Sequence, residues 1–224
     1  MDHSFSNQLL VVPLFQGFSR LDFLDIVEKI PLGFKTYRSG ETIVRQGDEC
    51  KSLCILLSGE TEAECTSPQG LYRFSEKIKA PWTIQIENLF GLHNRYARTF
   101  KATSEVKSIT ISKQDIRHLL TGYPAFQINF YNALSTLAQQ TSSLLWLQRS
   151  DHIEQRFYNF LKRRSLRPIG EKKLHIRMED LATELGTTRL RVSQTLNLLA
   201  QKNALTYSRG VIVIPQIEKL FAKQ

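Results

Sequence analysis

The stretch GTTRLRVSQTLNLLAQKN, Gly186 to Asn203, combines an apolar helical repeat with polar side chains that suit contacts to nucleic acid. Val192, Leu196 and Leu199 recur at the three- and four-residue spacing of one helix face, which predicts a helix with that face towards a core. One of the two threonines before the repeat is a natural N-cap. The free N–H groups and the positive end of the helix would then be available to phosphates.

Opposite the apolar face, this helix offers side chains that can read or hold DNA. Arg189 has the length to reach a guanine edge or a phosphate, and Arg191 suits a phosphate. Gln194 could pair with adenine, and Leu190 offers only an apolar contact, for instance to a thymine methyl. The alternative for each arginine is plain solvent exposure. The candidate DNA contacts are Thr188, Arg189, Leu190, Arg191, Ser193, Gln194, Asn197 and Arg209.

The neighbouring segments can position this helix. A preceding helical segment, Met178 to Leu185, carries a small residue at Ala182, and Gly186 permits the sharp turn between the two helices. The ending ALTYSRGVIVIP reads as a β-hairpin with Arg209 at its tip, where it could contact the DNA backbone. Helices followed by a hairpin predict a winged helix-turn-helix.

Positive charge is concentrated in the same region. The whole chain has a net charge of +9, and residues 151–224 hold 14 Lys and Arg against 7 Asp and Glu. Such a segment is attracted to phosphate backbones through counterion release. A solvated basic face with no partner would have the same composition.

Residues from about Tyr37 to Ile111 form short strand-like runs broken by turn residues, which predicts an antiparallel sandwich or roll. After TGYP the spacing changes to three and four residues over about six turns, which predicts a long amphipathic helix. We expect it to form a two-helix dimer seam, although a helix packed on its own domain gives a similar stripe. The seam residues are Phe130, Ala133, Leu137, Gln140, Leu144 and Leu147.

Other features narrow the class of protein. No apolar stretch approaches the roughly 20 residues that a membrane-spanning helix needs, and the start has no basic leader, so we expect a cytoplasmic protein with no membrane partner. Three cysteines fit a reducing compartment. We find no nucleophile with a nearby base, no metal-ligand cluster and no phosphate-binding loop, and therefore expect neither an enzyme nor a metal site.

These segments resemble the bacterial Crp/Fnr family over nearly the whole chain. RSGETIVRQGDECKSLCILLSGETEA is similar to the first strands of the family's roll, FKATSEV to the strand that closes its ligand pocket, and GTTRLRVSQTLNLLAQKNAL to its recognition helix. The resemblance implies a homodimeric transcription regulator in which a β-roll senses a signal and a long helix relays it. It also implies double-stranded DNA with a two-fold symmetric operator as a partner, and RNA polymerase if the protein is an activator.

The chain departs from the family at the ligand cassette. Where relatives that bind cyclic AMP have a Gly-Glu pair and then an Arg-Ser or Arg-Thr pair, ungapped alignment places Gln85 with Ile86 and Tyr96 with Ala97. The phosphate cradle is therefore missing in that register, and we expect an effector other than cyclic AMP. A shifted register brings Glu87 together with Arg98 and Thr99. The candidate effector pocket is Glu87, His93, Tyr96, Arg98 and Thr99.

Other sensor chemistries leave the cofactor open. An iron–sulfur sensor needs four cysteine ligands, whereas this chain has only Cys50, Cys54 and Cys65. We expect Cys50 and Cys54 to be buried or idle thiols rather than redox-active ones. His93 is a candidate haem ligand, as in some gas-sensing relatives, although a lone histidine is more often a surface or structural residue.

We therefore predict an α+β protein with a cyclic-nucleotide-binding-like β-roll (jelly roll) over residues 1–120, a dimerisation helix over 121–150 and a winged helix-turn-helix over 151–224. The predicted function is sequence-specific regulation of transcription. The alternatives are a ligand-binding module whose basic C-terminal domain contacts RNA or protein, and, for the sensor, haem-based gas sensing.

Overall fold

A computed structural model describes residues 9–147 and 150–220. The chain divides into two compact units. Unit 1 consists of residues 1–61 and 78–141, and unit 2 of residues 62–77 and 142–224. None of the described helices is long and apolar enough to span a membrane.

The elements follow one another in an α+β order. They are α1 (Arg20–Lys29), β1 (Gly33–Tyr37), β2 (Thr42–Val44), β3 (Ser52–Ser58), β4 (Glu60–Thr66), β5 (Tyr72–Lys79), β6 (Trp82–Ile84), β7 (Thr99–Ala102), β8 (Val106–Ser112), α2 (Lys113–Gly122), α3 (Pro124–Leu145), α4 (Ile153–Lys162), β9 (Lys172–Ile176), α5 (Met178–Leu185), α6 (Arg189–Gln201), β10 (Thr206–Ser208) and β11 (Val211–Ile214).

Unit 1 is the roll that the strand-like runs predict. An antiparallel sheet in the order β1-β8-β3-β6 forms one layer, and β2 pairs with β7. A Cβ on Gly59 would come within 2.2 Å of the Glu105 carbonyl oxygen, and its φ of +92° also requires glycine. Residue 59 is therefore a turn position that requires glycine.

The helices of unit 1 pack through aromatic rings. The Phe15 ring lies 5.5 Å from the rings of both Phe23, on α1, and Phe126, in the first turns of α3. Phe126 and Phe130 are both buried, and their ring centroids are 6.2 Å apart. The beginning of α3 is thus anchored to its own unit.

Unit 2 combines α4, α5 and α6 with a sheet in the order β10-β11-β9-β5-β4. Strand β9 pairs antiparallel with both β11 and β5. The apolar side chains of β5, including Tyr72 and Phe74, belong to the same core as Leu174 and the helices. The sequence analysis assigns residues 1–120, and with them the β4–β5 hairpin, to the sensor domain, but in the structure residues 62–77 belong to unit 2 with α4, α5 and α6. The reason is that β9, which the sequence analysis did not predict, pairs with the edge of β5 opposite β4.

A buried ion pair lies where β5 and β9 meet. Lys172 Nζ is 2.6 Å from Glu76 Oε2, and the two side chains are only 1% and 0% exposed. The Glu76 carboxylate also accepts hydrogen bonds from the backbone N–H groups of Leu166 and Arg167, and Lys172 Nζ donates to the Ile169 carbonyl oxygen. The pair therefore fixes the loop between α4 and β9 as well as the two strands.

Candidate nucleic-acid interface

The turn between α5 and α6 is built as the sequence predicts. Gly186 ends α5 in the left-handed conformation, with φ +60°, and the Thr187 N–H donates to the Ala182 carbonyl oxygen at 2.9 Å. On both helices the side chains that face the core are buried together. These are Leu181, Ala182, Leu185, Val192, Leu196 and Leu199. Their packing fixes which side of α6 faces solvent.

Arg156 of α4 supports this turn from behind. Its Nη1 donates to the carbonyl oxygens of Leu185 and Gly186, each at 3.0 Å. Its Nε donates to the Ser150 carbonyl oxygen at 2.9 Å, and its Nη2 donates to that of Asp151 at 3.2 Å. One guanidinium therefore satisfies carbonyl groups at the end of α5 and before α4. Sequence reasoning missed Arg156, because its partners in the helix turn, Leu185 and Gly186, are 29 and 30 residues away.

The solvent side of α6 carries the predicted reading residues. Thr188 is the N-cap, and its side chain accepts a hydrogen bond from the Arg191 N–H at 3.4 Å. Leu190 is 68% exposed, Gln194 is exposed and Ser193 is partly exposed. The first turns of α6 thus expose Leu190 and Gln194 on the side away from the core, with Arg189 and Arg191 on the two flanks and a capped N-terminus.

Besides Thr188, the predicted contact residues Arg189 and Asn197 have partners within the chain. Arg189 Nε lies 3.2 Å from Glu179 Oε1, and both side chains are mostly exposed, at 71% and 64%. Such an exposed pair is weak, so Arg189 can exchange Glu179 for another acceptor at little cost. Asn197 Oδ1 accepts a 2.5 Å hydrogen bond from the Tyr207 hydroxyl on β10, which ties α6 to the hairpin.

The hairpin of β10 and β11 has Arg209 at its tip, as expected. Arg209 and Gly210 both have positive φ, +47° and +79°, which is the conformation of a two-residue type I′ turn. The Ile176 N–H donates to the Gly210 carbonyl oxygen at 2.8 Å, so the tip lies beside the end of β9. The exposed Arg209 side chain therefore projects from a fixed position.

The candidate effector residues occupy different environments in unit 1. Glu87 and His93 are exposed, whereas Tyr96 is 7% exposed and its hydroxyl donates to the Ser52 carbonyl oxygen at 3.3 Å. Burial, followed by its hydrogen bond with Cys50, raises the pKa of Tyr96. The position aligned with the family's phosphate-binding arginine therefore holds an inward-facing neutral phenol.

The rest of the cassette is held by backbone contacts. Gln85, at the aligned glycine position, is buried and left-handed with φ +42°, and its Oε1 accepts a hydrogen bond from the Arg98 N–H at 3.2 Å. The Thr99 hydroxyl accepts a hydrogen bond from the Gln46 N–H at 3.0 Å. At the position where the phosphate cradle has a glycine, this chain thus has the buried side chain of Gln85, whose amide bonds the backbone of Arg98.

The cysteines of unit 1 are buried thiols. Burial raises the pKa of Cys54 to about 12 and also raises the pKa of Cys50. Thiols held in the protonated form are poor nucleophiles and poor metal ligands. Among the described residues, no group of three or more His, Cys, Asp or Glu side chains could hold a metal ion.

The later part of α3 presents less buried apolar side chains than its beginning. Phe130 is 2% exposed and packs on Phe126 within unit 1. The side chains of Ala133, Leu137 and Leu144 are only partly buried, and Gln140 is exposed. Leu147 lies two residues beyond the end of α3, whereas the stripe in the sequence predicts a helix that includes it.

Comparisons with known proteins match the two functional regions separately. The family model of the cyclic nucleotide-binding domain matches residues 34–123, and that of the Crp-like helix-turn-helix domain matches residues 142–222. The crystal structure of the Thermus thermophilus catabolite activator protein is 20% identical, with a TM-score of 0.53 over 93% of this chain and 96% of that one. The sensor domain of the transcriptional regulator DNR from Pseudomonas aeruginosa is 18% identical, with a TM-score of 0.52 over 61% of this chain and 90% of that one. At this identity the solved structures show a shared fold. No curated protein matches the sequence.

Proposed function

Because the chain belongs to the Crp/Fnr family of transcription regulators, we propose that it binds a two-fold symmetric operator as a homodimer, with one α6 helix per subunit in the major groove. The observation that carries this proposal is the start of α6, where the N-terminus is capped and Arg189 and Gln194 are both exposed to solvent. In this family's docking geometry, half-sites lie about 34 Å apart, one turn of DNA.

Each outward side chain has a distinct role in this proposal. Arg189 leaves Glu179 and contacts a guanine edge, and Gln194 pairs with adenine. Leu190 cannot accept a hydrogen bond from cytosine and instead contacts a thymine methyl. Arg191 and Arg209 bind phosphates and set the register of the helix without reading sequence.

Alanine at Arg189 or Gln194 should weaken specific binding by about 1–3 kcal/mol each, because a good bidentate base contact is lost. A fluorescence anisotropy titration measures the loss on an operator recovered by selection from genomic DNA. Substitution of the base pair that the side chain contacts should then reduce the affinity of the variant less than that of the wild type. Arg163→Ala removes an exposed arginine from the end of α4 and is the charge-matched control. If both variants bind as the wild type does, α6 does not read bases, and the RNA- or protein-binding alternative gains support.

The proposed dimer is formed by the part of α3 after Phe130. A second copy of the helix would cover the partly buried side chains of Ala133, Leu137 and Leu144, with the exposed Gln140 at the seam. Close to the helix end, Leu145 and Trp146 are 79% and 81% exposed, which is unusual for large apolar side chains without a partner.

Leu137→Asp should shift the protein to monomers in sedimentation velocity at micromolar concentration, because it places two carboxylates in the seam. Gln139→Asp, on an exposed position of the same helix, adds the same charge and should leave the mass unchanged. A wild-type protein that sediments as a monomer would contradict the dimer.

We propose that this protein does not bind cyclic AMP in the manner of the family. Tyr96 and Gln85 stand at the positions of the arginine and the glycine that form the family's phosphate cradle. Millimolar cyclic AMP should therefore leave the thermal midpoint of the protein unchanged. A ligand at 100 times its Kd would stabilise the protein by about 2.7 kcal/mol, which is easily detected.

An absorption spectrum of natively purified protein tests the haem alternative, for which His93→Ala should abolish the Soret band.

A further inference from the structure

The sheet of unit 2 ends in a cleft that is lined by positive side chains. The cleft, of about 360 Å³, lies between the turn of the β4–β5 hairpin, the end of β9 and the tip of the β10–β11 hairpin. Arg73, Arg177 and Arg209, called here the sheet-end arginines, line it together with His175, and its lining contains no carboxylate. A polyvalent anion is the partner that such a surface fits.

The strand register places Arg73 on the solvent face of this sheet. Arg73 of β5 pairs with His175 of β9, which pairs in turn with Val211 of β11. The next residues along β5 and β9, Phe74 and Leu174, are fully buried in the core. Because side chains alternate along a strand, Arg73 and His175 point to the opposite face.

Hydrogen bonds bring the other two arginines to the same end. The Ile176 N–H bonds the Gly210 carbonyl oxygen, so the turn that carries Arg209 lies beside the residue before Arg177. Arg177 is itself the N-cap residue of α5, and both it and Arg209 are exposed. The sheet-end arginines therefore come from three segments that are far apart in sequence.

This cleft is also close to the start of the recognition helix. Arg177 lies two residues before Glu179, whose carboxylate contacts Arg189 in the first turn of α6. Arg177 and Arg189 are therefore linked through Glu179, in the first turn of α5.

The positive charge of the cleft is incompletely balanced within the chain. Arg73 Nη1 is 3.9 Å from Glu64 Oε2, at the outer limit of an ion pair, and the Arg73 side chain is 54% exposed. Burial, and then the repulsion of Arg73 and Lys173, lower the pKa of His175, against the smaller opposite effects of Glu64 and Glu62. An external anion at this position would relieve that repulsion.

We infer that the sheet-end arginines bind the DNA backbone beyond the base pairs that α6 reads, so that Arg73, in the segment matched to the cyclic nucleotide-binding domain, touches DNA directly. The inference rests on the proposed function. Duplex DNA is the favoured occupant because its phosphates continue past the half-site, at one charge per about 1.7 Å of axis, and the three arginines line one cleft beside the hairpin tip.

Two duplexes and one matched pair of variants test this contact. One duplex ends at the two half-sites, and the other extends each end by one helical turn, about 10 base pairs. Wild-type protein should prefer the extended duplex, and Arg73→Gln should weaken binding to it about three- to tenfold and make the salt slope shallower by about 1.8 per dimer. Arg73→Lys, which keeps the charge, should retain most of the affinity and the slope.

The matched control is Lys77→Gln on the same strand. Lys77 points to the same face as Arg73, is 59% exposed and pairs with Glu171, away from the cleft. If Arg73→Gln binds the extended duplex as tightly as Lys77→Gln, with an equal salt slope, the inference is wrong. In that case a remaining loss in Arg189→Ala shows that the proposed function still stands, whereas its absence shows that the proposed function fails as well.

Discussion

Replacement of Lys172 by methionine should lower the free energy of unfolding of unit 2 by about 3–5 kcal/mol, because it leaves the Glu76 carboxylate buried without its counter-charge. The two backbone N–H groups of Leu166 and Arg167 would still bond this carboxylate, so we expect a folded but weakened protein. Urea denaturation followed by circular dichroism measures the change.

The control for this prediction lies one residue along β5. Lys77 forms an exposed ion pair with Glu171 at 3.2 Å, and Lys77→Met should change stability by less than about 0.5 kcal/mol. The double variant Glu76→Gln with Lys172→Met removes both charges and should be less destabilised than the sum of the two single changes. A Lys172→Met protein as stable as Lys77→Met would show that the Glu76 site is hydrated and that the pair does not hold β5 to β9.

The affinity for operator DNA should fall about 10⁴-fold when salt is raised from 50 to 200 mM, which is the largest effect that we expect from any single condition. Arg191 and the sheet-end arginines give about four phosphate contacts per subunit and about eight per dimer, so the logarithm of the affinity should fall with a slope of about −7 against the logarithm of salt. The slope is measured by anisotropy titrations at four or more salt concentrations.

This slope distinguishes phosphate binding by Arg191 and Arg209 alone from binding that also involves Arg73 and Arg177. If only Arg191 and Arg209 reach phosphates, the dimer makes about four contacts, and the slope should be near −3.6, with a loss of about 10²-fold over the same range. A slope near zero would contradict phosphate binding by either set.

The local parts of the interface were predictable from sequence. Three- and four-residue spacing identifies Val192, Leu196 and Leu199 as the inner face of α6, and this fixes the exposed face without any long-range information. The turn of Arg209 and Gly210 follows from local backbone chemistry in the same way.

The long-range parts were not predictable. The segment EKKLHI has charged residues where a strand usually has apolar ones, and Lys172 is buried only because Glu76 reaches it from 96 residues away. The docking of the β4–β5 hairpin on β9 and the support of Arg156 for the helix turn likewise depend on partners that no local pattern specifies. The cassette is an intermediate case, because the missing arginine was visible but the inward position of Tyr96 was not.

Selection of genomic DNA fragments by the purified full-length protein, followed by titration of the recovered fragments in a gel-shift assay, tests the central claim most directly. We predict a small set of fragments that share a two-fold symmetric sequence with half-sites 10–10.5 base pairs apart from centre to centre, bound at least about 10³-fold more tightly than random duplex. Uniform weak binding to every fragment would contradict the assignment of this chain as a sequence-specific regulator.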